Sequence, residues 1–174
     1  AWVKVVNCWR DGGEIVEVDE RVDDPEHRLE DPETILLVIH GGTLGEDSQD
    51  AGLSMFVCNA LVDCRSGDYP KERVSVAVVL TACDAVELRD ELGDPWLERL
   101  IHAEPERRSR AVKELLISKI QGFSHAIEGL EPEDLRFFAV SAWGAGGDMR
   151  HARPWHVEEP ILWLIDRAWS MRTK

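Results

Sequence analysis

The sequence predicts an α/β domain in three layers: an open, mostly parallel sheet with helices on both of its faces. Residues 34–40 and 74–80 are runs of branched apolar residues, as in strands covered on both sides rather than one. Residues 53–62, 111–128 and 158–171 instead repeat their apolar residues at helical spacing. The two kinds of segment alternate along the chain, an order that right-handed crossovers build into a parallel sheet.

Taken in order, residues 2–8 alternate less cleanly and are expected at one edge of the sheet. Residues 14–18 can pair with them as a hairpin across Asp11-Gly12-Gly13, because an Asp-Gly turn supplies the positive φ angles of a tight reversal. The acidic stretch 19–33, with Pro25 and Pro32, reads as a solvated loop. After the strand 34–40, Leu53, Phe56, Val57, Ala60 and Leu61 form the stripe of a first helix. After the strand 74–80, Val112, Leu115, Leu116, Ile120, Phe123 and Ile127 predict one helix over 111–128. Arg136-Phe-Phe-Ala-Val-Ser141 is a further strand, and 144–156 a glycine-rich loop. The last helix has Pro160 in its first turn, where a missing amide hydrogen costs little. Ile161, Leu162, Leu164, Ile165, Ala168 and Trp169 predict a broad buried face for it. A single domain over 1–174 follows, since no repeat or boundary interrupts the pattern.

With 44% hydrophobic and 31% charged residues the chain has an ordinary globular composition. Its net charge of −14 repels phosphate backbones and anionic lipid, so neither nucleic acid nor membrane is an expected partner. The basic run Arg107, Arg108, Arg110 and Lys113 reads as the solvated face of a helix. Cys8, Cys58, Cys64 and Cys83 form no CxxC pair and are expected as reduced thiols. Apolar runs are far too short to span a bilayer and no signal segment opens the chain, so a cytoplasmic location is expected. The first residue, Ala1, fits either methionine removal or a piece of a longer protein.

Ligands of open α/β sheets bind beyond the carboxyl ends of the strands. Those ends are His40-Gly41-Gly42-Thr43, Thr81-Ala82-Cys83-Asp84 and Ser141-Ala142-Trp143-Gly144. Val78-Val-Leu-Thr-Ala-Cys-Asp84 resembles the guanine-reading strand end of Ras-like GTPases, usually Asn/Thr-Lys-x-Asp. Phe138-Ala-Val-Ser-Ala-Trp-Gly144 is similar to the loop that follows it, whose backbone amide contacts guanine. Gly146-Gly-Asp148 and Arg153-Pro-Trp-His-Val-Glu-Glu-Pro-Ile-Leu-Trp-Leu-Ile165 resemble the closing region of bacterial double-GTPase and related TRAFAC-type proteins. The resemblance spans about residues 35–169 and implies a P-loop-NTPase or Rossmann-like fold. It also implies a base site made by Asp84 and Thr81, with Ser141 and Ala142 as loop contacts.

The departures limit what that site can do. Ala82 stands where the family has its Lys, so the base loses its cationic cover. No GxxxxGK-Ser/Thr loop occurs; the nearest segment, Gly41 to Ser48, places Glu46 and Asp47 against a polyanion. In the family register, residues 2–8 followed by Arg10-Asp-Gly-Gly-Glu14 fall at the DxxG switch, and the strand, phosphate loop and helix before it have no counterpart. The expectation is a partial or degenerate GTPase-like module with no catalytic residue of its own. It would bind GTP or GDP weakly at most and would not hold magnesium. Its partner would be another protein, the missing part of the G domain, or a second copy at an exposed sheet edge.

The same strand ends also resemble caspase-like and CHAT-type cysteine peptidases, in which a His-Gly and an Ala-Cys pair end neighbouring strands. Cys83 follows His40 by about forty residues, a compatible separation. In that reading His40 takes the thiol proton and Cys83 attacks an acyl carbon. The plainer reading is a packed Cys83 and a polar His40 at a strand end. His151, His156 and Glu159 could ligate a metal but fit a polar loop better. Trp163 and Trp169 are expected in the core; Trp143 and Trp155 flank the glycine loop and fit packing better, though they could stack on a planar ligand or on a partner protein.

Overall fold

Five strands form one open sheet: β1 (Val3–Asp11), β2 (Glu14–Val16), β3 (Thr34–His40), β4 (Ser75–Thr81) and β5 (Leu135–Ala139). Their order across it is β2-β1-β3-β4-β5. The structure, a computed structural model, describes residues 3–11, 14–16, 34–44, 51–66, 74–128, 130, 134–142 and 154–172. β1, β3, β4 and β5 run parallel, and only β2 is antiparallel. The expected hairpin is present, with Asp11 opposite Glu14. It puts β2 outside the last three residues of β1, Trp9–Asp11, whereas Val3–Cys8 pair with β3 and form the edge of the parallel set. Continuous pairing of β1 with β3, from Val3↔Thr34 to Cys8↔Ile39, leaves no open position between them for another strand.

Alternation along the strands divides the core in two. Ile35, Leu37, Ile39, Val76, Val78, Leu80, Phe137 and Ala139 face one side. They meet α1 (Ala51–Ser66), α4 (Pro105–Lys119) and α5 (Phe123–Ile127) through Val57, Leu61, Val112, Leu115, Leu116 and Phe123. Ala77, Val79, Phe138 and Val140 face the other side, where Leu164 and Trp163 of α6 (Glu159–Arg172) cover them. Helices therefore lie on both faces, in unequal numbers. β4 is buried from Ser75 to Leu80, which explains its unbroken apolar run. β5 has its outer edge partly closed, since Phe137 N–H donates to the Ser109 hydroxyl of α4 at 3.1 Å.

Four sequence expectations change. The single helix over 111–128 is two, because Ile120 is extended and Gly122 adopts φ +81°, a left-handed conformation open to glycine. Two short helices, α2 (Val86–Leu92) and α3 (Asp94–His102), occupy a stretch with no predicted element. They meet at Gly93, with φ +77°, and Pro95 opens the second. The buried face of α6 is narrower than its composition suggests: Pro160, Leu164 and Ala168 are buried, whereas Ile161, Leu162, Ile165 and Trp169 are exposed. Finally, Arg108 is not solvated. It is 6% exposed, donating to the Ala103 carbonyl and bidentately to Glu159 at 2.6 and 2.7 Å.

That last pair fastens α4 to the start of α6. His156 joins it, with Nδ1 2.9 Å from Glu159 Oε1 and Nε2 3.3 Å from the Ile101 carbonyl. A second fastening lies at the amino ends of the strands, where Arg167 of α6 reaches the buried Asp134 and, at 3.4 Å, the Ser75 hydroxyl. Removing one member of a buried pair leaves the other charge uncompensated. Arg108→Ala is therefore expected to destabilise the fold by about 2–4 kcal/mol in urea unfolding, a range lowered for the partly exposed Glu159. Glu106→Ala, which breaks an exposed pair with Arg136, is expected to cost under about 1 kcal/mol.

Candidate functional site

Because β3, β4 and β5 are parallel and adjacent, their carboxyl ends bring three separate stretches of chain together. His40 lies in register with Thr81 on β4. Val140 N–H donates to the Leu80 carbonyl at 2.9 Å, and Cys83 N–H approaches the Val140 carbonyl at 3.5 Å. Ser141 pairs with Trp155 through both backbone groups, at 3.0 and 3.3 Å, which fixes the exit of β5. Thr81, Asp84, Ser141 and Ala142 thus share one end of the sheet, with His40 beside them.

The chain leaves β4 through a tight turn. Ala82 has φ +47°, a strained left-handed conformation for a residue with a side chain, and Ala85 N–H closes the turn on the Ala82 carbonyl at 2.8 Å. This turn packs directly on the end of β3. A Cβ added at Gly41 would lie 2.5 Å from the Ala82 carbonyl oxygen, so only glycine lets the two loops meet. The next residues, Gly41–Leu44, form one 3-10 turn. Its Gly42 N–H donates to His40 Nδ1 at 3.1 Å. That bond makes Nδ1 the acceptor of a neutral ring and leaves the proton on Nε2.

Cys83 points into the core. It is 1% exposed, packs with the cluster around Ile39 and Leu80, and its thiol donates to the Val140 carbonyl at 3.0 Å. Burial first, and the neighbouring Asp84 carboxylate second, push the thiol far above its ordinary range, against a smaller opposing backbone hydrogen bond. His40, in contrast, is exposed, and neither of its ring nitrogens bonds to Cys83. Strand alternation sets His40 on the face opposite Ile39, whereas Cys83 belongs to the Ile39 side. The two residues end neighbouring strands without forming a dyad in this structure.

Asp84 is half-buried, and its carboxylate has no hydrogen bond or ion pair among the described residues. Ala142 is exposed one residue beyond the buried Ser141. The Thr81 hydroxyl donates to the Ile39 carbonyl at 3.3 Å, so its lone pairs remain as acceptors. The crevice therefore offers a carboxylate acceptor, a hydroxyl acceptor and an outward imidazole N–H. It has no cation to balance a polyanion among these residues.

A cavity of about 890 Å³ lies elsewhere, between α3 and α4, with Leu92, Trp96, Leu100 and Leu115 in its wall. It shares no residue with the strand-end crevice, and its ionisable groups lie on its exposed rim. The strand ends are the better candidate, since ligands of open α/β sheets bind beyond them and Thr81 and Asp84 are partly exposed there. Trp155 is half-buried with its ring edge-on to His156 at 6.2 Å, and its indole N–H has no acceptor among the described residues. Trp143, His151 and the segment 45–50 lie outside the described residues. Among those that are described, no three His, Cys, Asp or Glu side chains group as a metal site, and Glu159 is engaged by both Arg108 and His156. No helix of the described residues is long and apolar enough to cross a membrane.

Comparison of the chain with protein-family models, with curated proteins and with solved structures finds no match.

The buried thiol gives stability a pH dependence of known sign. The unfolded thiol ionises near its ordinary pKa while the folded one stays protonated, so above about pH 9 the unfolded state binds fewer protons. Stability then falls as pH rises, with a slope of up to about 1.4 kcal/mol per pH unit from this group. Urea unfolding from pH 7.5 to 10 is expected to show a steeper loss in the wild type than in Cys83→Ala.

Proposed function

We propose that this chain is a non-hydrolysing, GTPase-like binding module that reads a planar guanine-type base at the carboxyl ends of β4 and β5. The observation that carries the proposal is the half-buried Asp84 carboxylate, without a partner among the described residues, standing on a turn whose next inward residue is core. The ring N–H and the neighbouring exocyclic amino group of guanine suit a carboxylate that accepts through both oxygens. Ala142, exposed at the end of the neighbouring strand, supplies the loop contact that the resemblance implies. The parallel sheet with helices on both faces is compatible with a P-loop-NTPase or Rossmann-like fold.

Two features support binding without hydrolysis. The turn after β3 has one of its amides, that of Gly42, already bonded to His40, so it is a poor cradle for phosphates. The chain also carries no lysine-bearing phosphate loop, and its net charge of −14 opposes a polyanionic tail. A protein partner in the cytoplasm remains the proposed context, and a strand supplied by that partner would join at the β1–β2 end of the sheet, where β2 pairs with β1 only over Trp9–Asp11.

Titration with a fluorescent GTP analogue tests the reading. Saturable binding is expected that guanosine competes away, adenosine does not, and magnesium leaves unchanged. Asp84→Ala is expected to weaken it at least tenfold. Binding that survives this substitution, or competes equally with adenosine, would sink the base site.

A cysteine-hydrolase reading has one observation in its favour: His40 and the turn bearing Cys83 end adjacent strands and pack together at Gly41. The buried, hydrogen-bonded thiol weighs against it, because the thiolate is the nucleophile. Alkylation of the native protein by iodoacetamide is expected to modify half-buried Cys58 before Cys83. Faster labelling at Cys83, slowed by His40→Ala, would revive the hydrolase.

A further inference from the structure

One side chain at the strand ends has a hydrogen to give and no acceptor for it. His40 ends β3 in register with Thr81, and register partners of a parallel pair leave the sheet on the same face. Its Nδ1 accepts from the Gly42 N–H at 3.1 Å, which fixes the exposed ring by one nitrogen. The proton on Nε2 has no partner among the described residues. Its neighbours have already given theirs: the Thr81 hydroxyl to the Ile39 carbonyl, and the Cys83 thiol to the Val140 carbonyl. Two contacts bring His40 to the turn that carries Asp84. Gly41, next in the chain, stands so close to Ala82 that a Cβ there would lie 2.5 Å from its carbonyl oxygen. That same carbonyl accepts from Ala85 N–H at 2.8 Å, and Asp84 lies within the turn so closed.

We propose that His40 is a second base-reading residue, giving its Nε2–H to the N7 acceptor of guanine while Asp84 holds the opposite edge. This inference rests on the base-site reading above. Guanine carries its donors on one edge and the acceptors N7 and O6 on another. A carboxylate can satisfy only the donors. The acceptor edge needs an N–H, and an imidazole fixed by its other nitrogen presents a single one in a set direction. Such a donor is already ordered before the ligand arrives, so little freedom is lost on binding.

Charge separates this acceptor from the others that an N–H could take. A phosphate or carboxylate bound at Nε2 would stand near the Asp84 carboxylate, on a chain of net charge −14, and meet like charge. A neutral ring nitrogen carries no such penalty. The two residues also divide the work of selection. Adenine presents N7 as well, so His40 favours a purine over a pyrimidine, and Asp84 favours guanine among purines.

Competition of guanosine, 7-deazaguanosine and inosine against a fluorescent GTP analogue tests the two edges separately. 7-Deazaguanosine has carbon in place of N7, and inosine lacks the amino group that faces Asp84. In the wild type each is expected to compete about fivefold less well than guanosine, the size of one hydrogen bond. His40→Phe keeps a flat ring without the donor. It is expected to erase the 7-deazaguanosine gap and to leave the inosine gap in place. His40→Gln, which restores an N–H donor at similar reach, is expected to recover part of the first gap. The wild-type comparison involves no substitution, so it is decisive whether or not a variant folds. A 7-deazaguanosine gap that is absent in the wild type, or that persists in His40→Phe, would overturn the inference, while the inosine gap keeps the base site standing. Absence of both gaps, or of saturable binding, would remove the base site and the role of His40 together.

Discussion

The burial of β4 on both faces is the constraint on which the rest of the structure depends. Six consecutive residues, Ser75 to Leu80, are out of water, so none can carry an unpaired polar group without cost. β3 and β5 satisfy its backbone on either side, and Ser75 has its hydroxyl met by Arg167. Polar chemistry is thereby displaced to the carboxyl end, where the chain turns at Ala82 and first reaches partly exposed positions. Asp84 and Thr81 are partly exposed for that reason, and Cys83, still on the inward side, is buried.

The end of β3 is shaped by the same packing. Gly41 can touch the Ala82 carbonyl only because it lacks a Cβ, and that contact draws His40 against the β4 turn. His40 then bonds the amide of Gly42 and keeps its free nitrogen outward. Two loops distant in sequence become one surface through a single close backbone approach. Strain at Ala82 is held by the turn hydrogen bond from Ala85 and by the core packing of Cys83.

On the two sides of the sheet, different means hold the helices. One side has several helices and a large apolar cluster. The other has α6 over a small one, and its attachment relies more on ions: Arg108–Glu159 at one end and Arg167–Asp134 at the other. A helix anchored at both ends and packed on one narrow ridge keeps its next ridge in solvent. That is how several large apolar residues of this helix come to be exposed.

Much of this was legible from residues alone. Branched runs at 34–40 and 74–80 named the two inner strands, and the Asp-Gly-Gly turn named the hairpin. Local chemistry decides both, through side-chain shape and backbone freedom. The strand ends as the place to look also followed from sequence order; Asp84, Thr81, Ser141 and Ala142 within them came from the family resemblance, and their roles remain proposals. Gly122 could have signalled the break between α4 and α5, but the apolar stripe runs through it and hid the change. Arg108 falls on the stripe of Val112, Leu115 and Leu116, four residues before the first, and that spacing held a sign of its burial. Its partner Glu159 lies 51 positions away, so no local pattern could identify the pair. Whether Cys83 faces a ligand or the core, and which ridge of α6 meets the sheet, were decided by tertiary structure alone. Both depend on how adjacent elements are rotated against one another, and periodicity along one segment carries no record of that rotation.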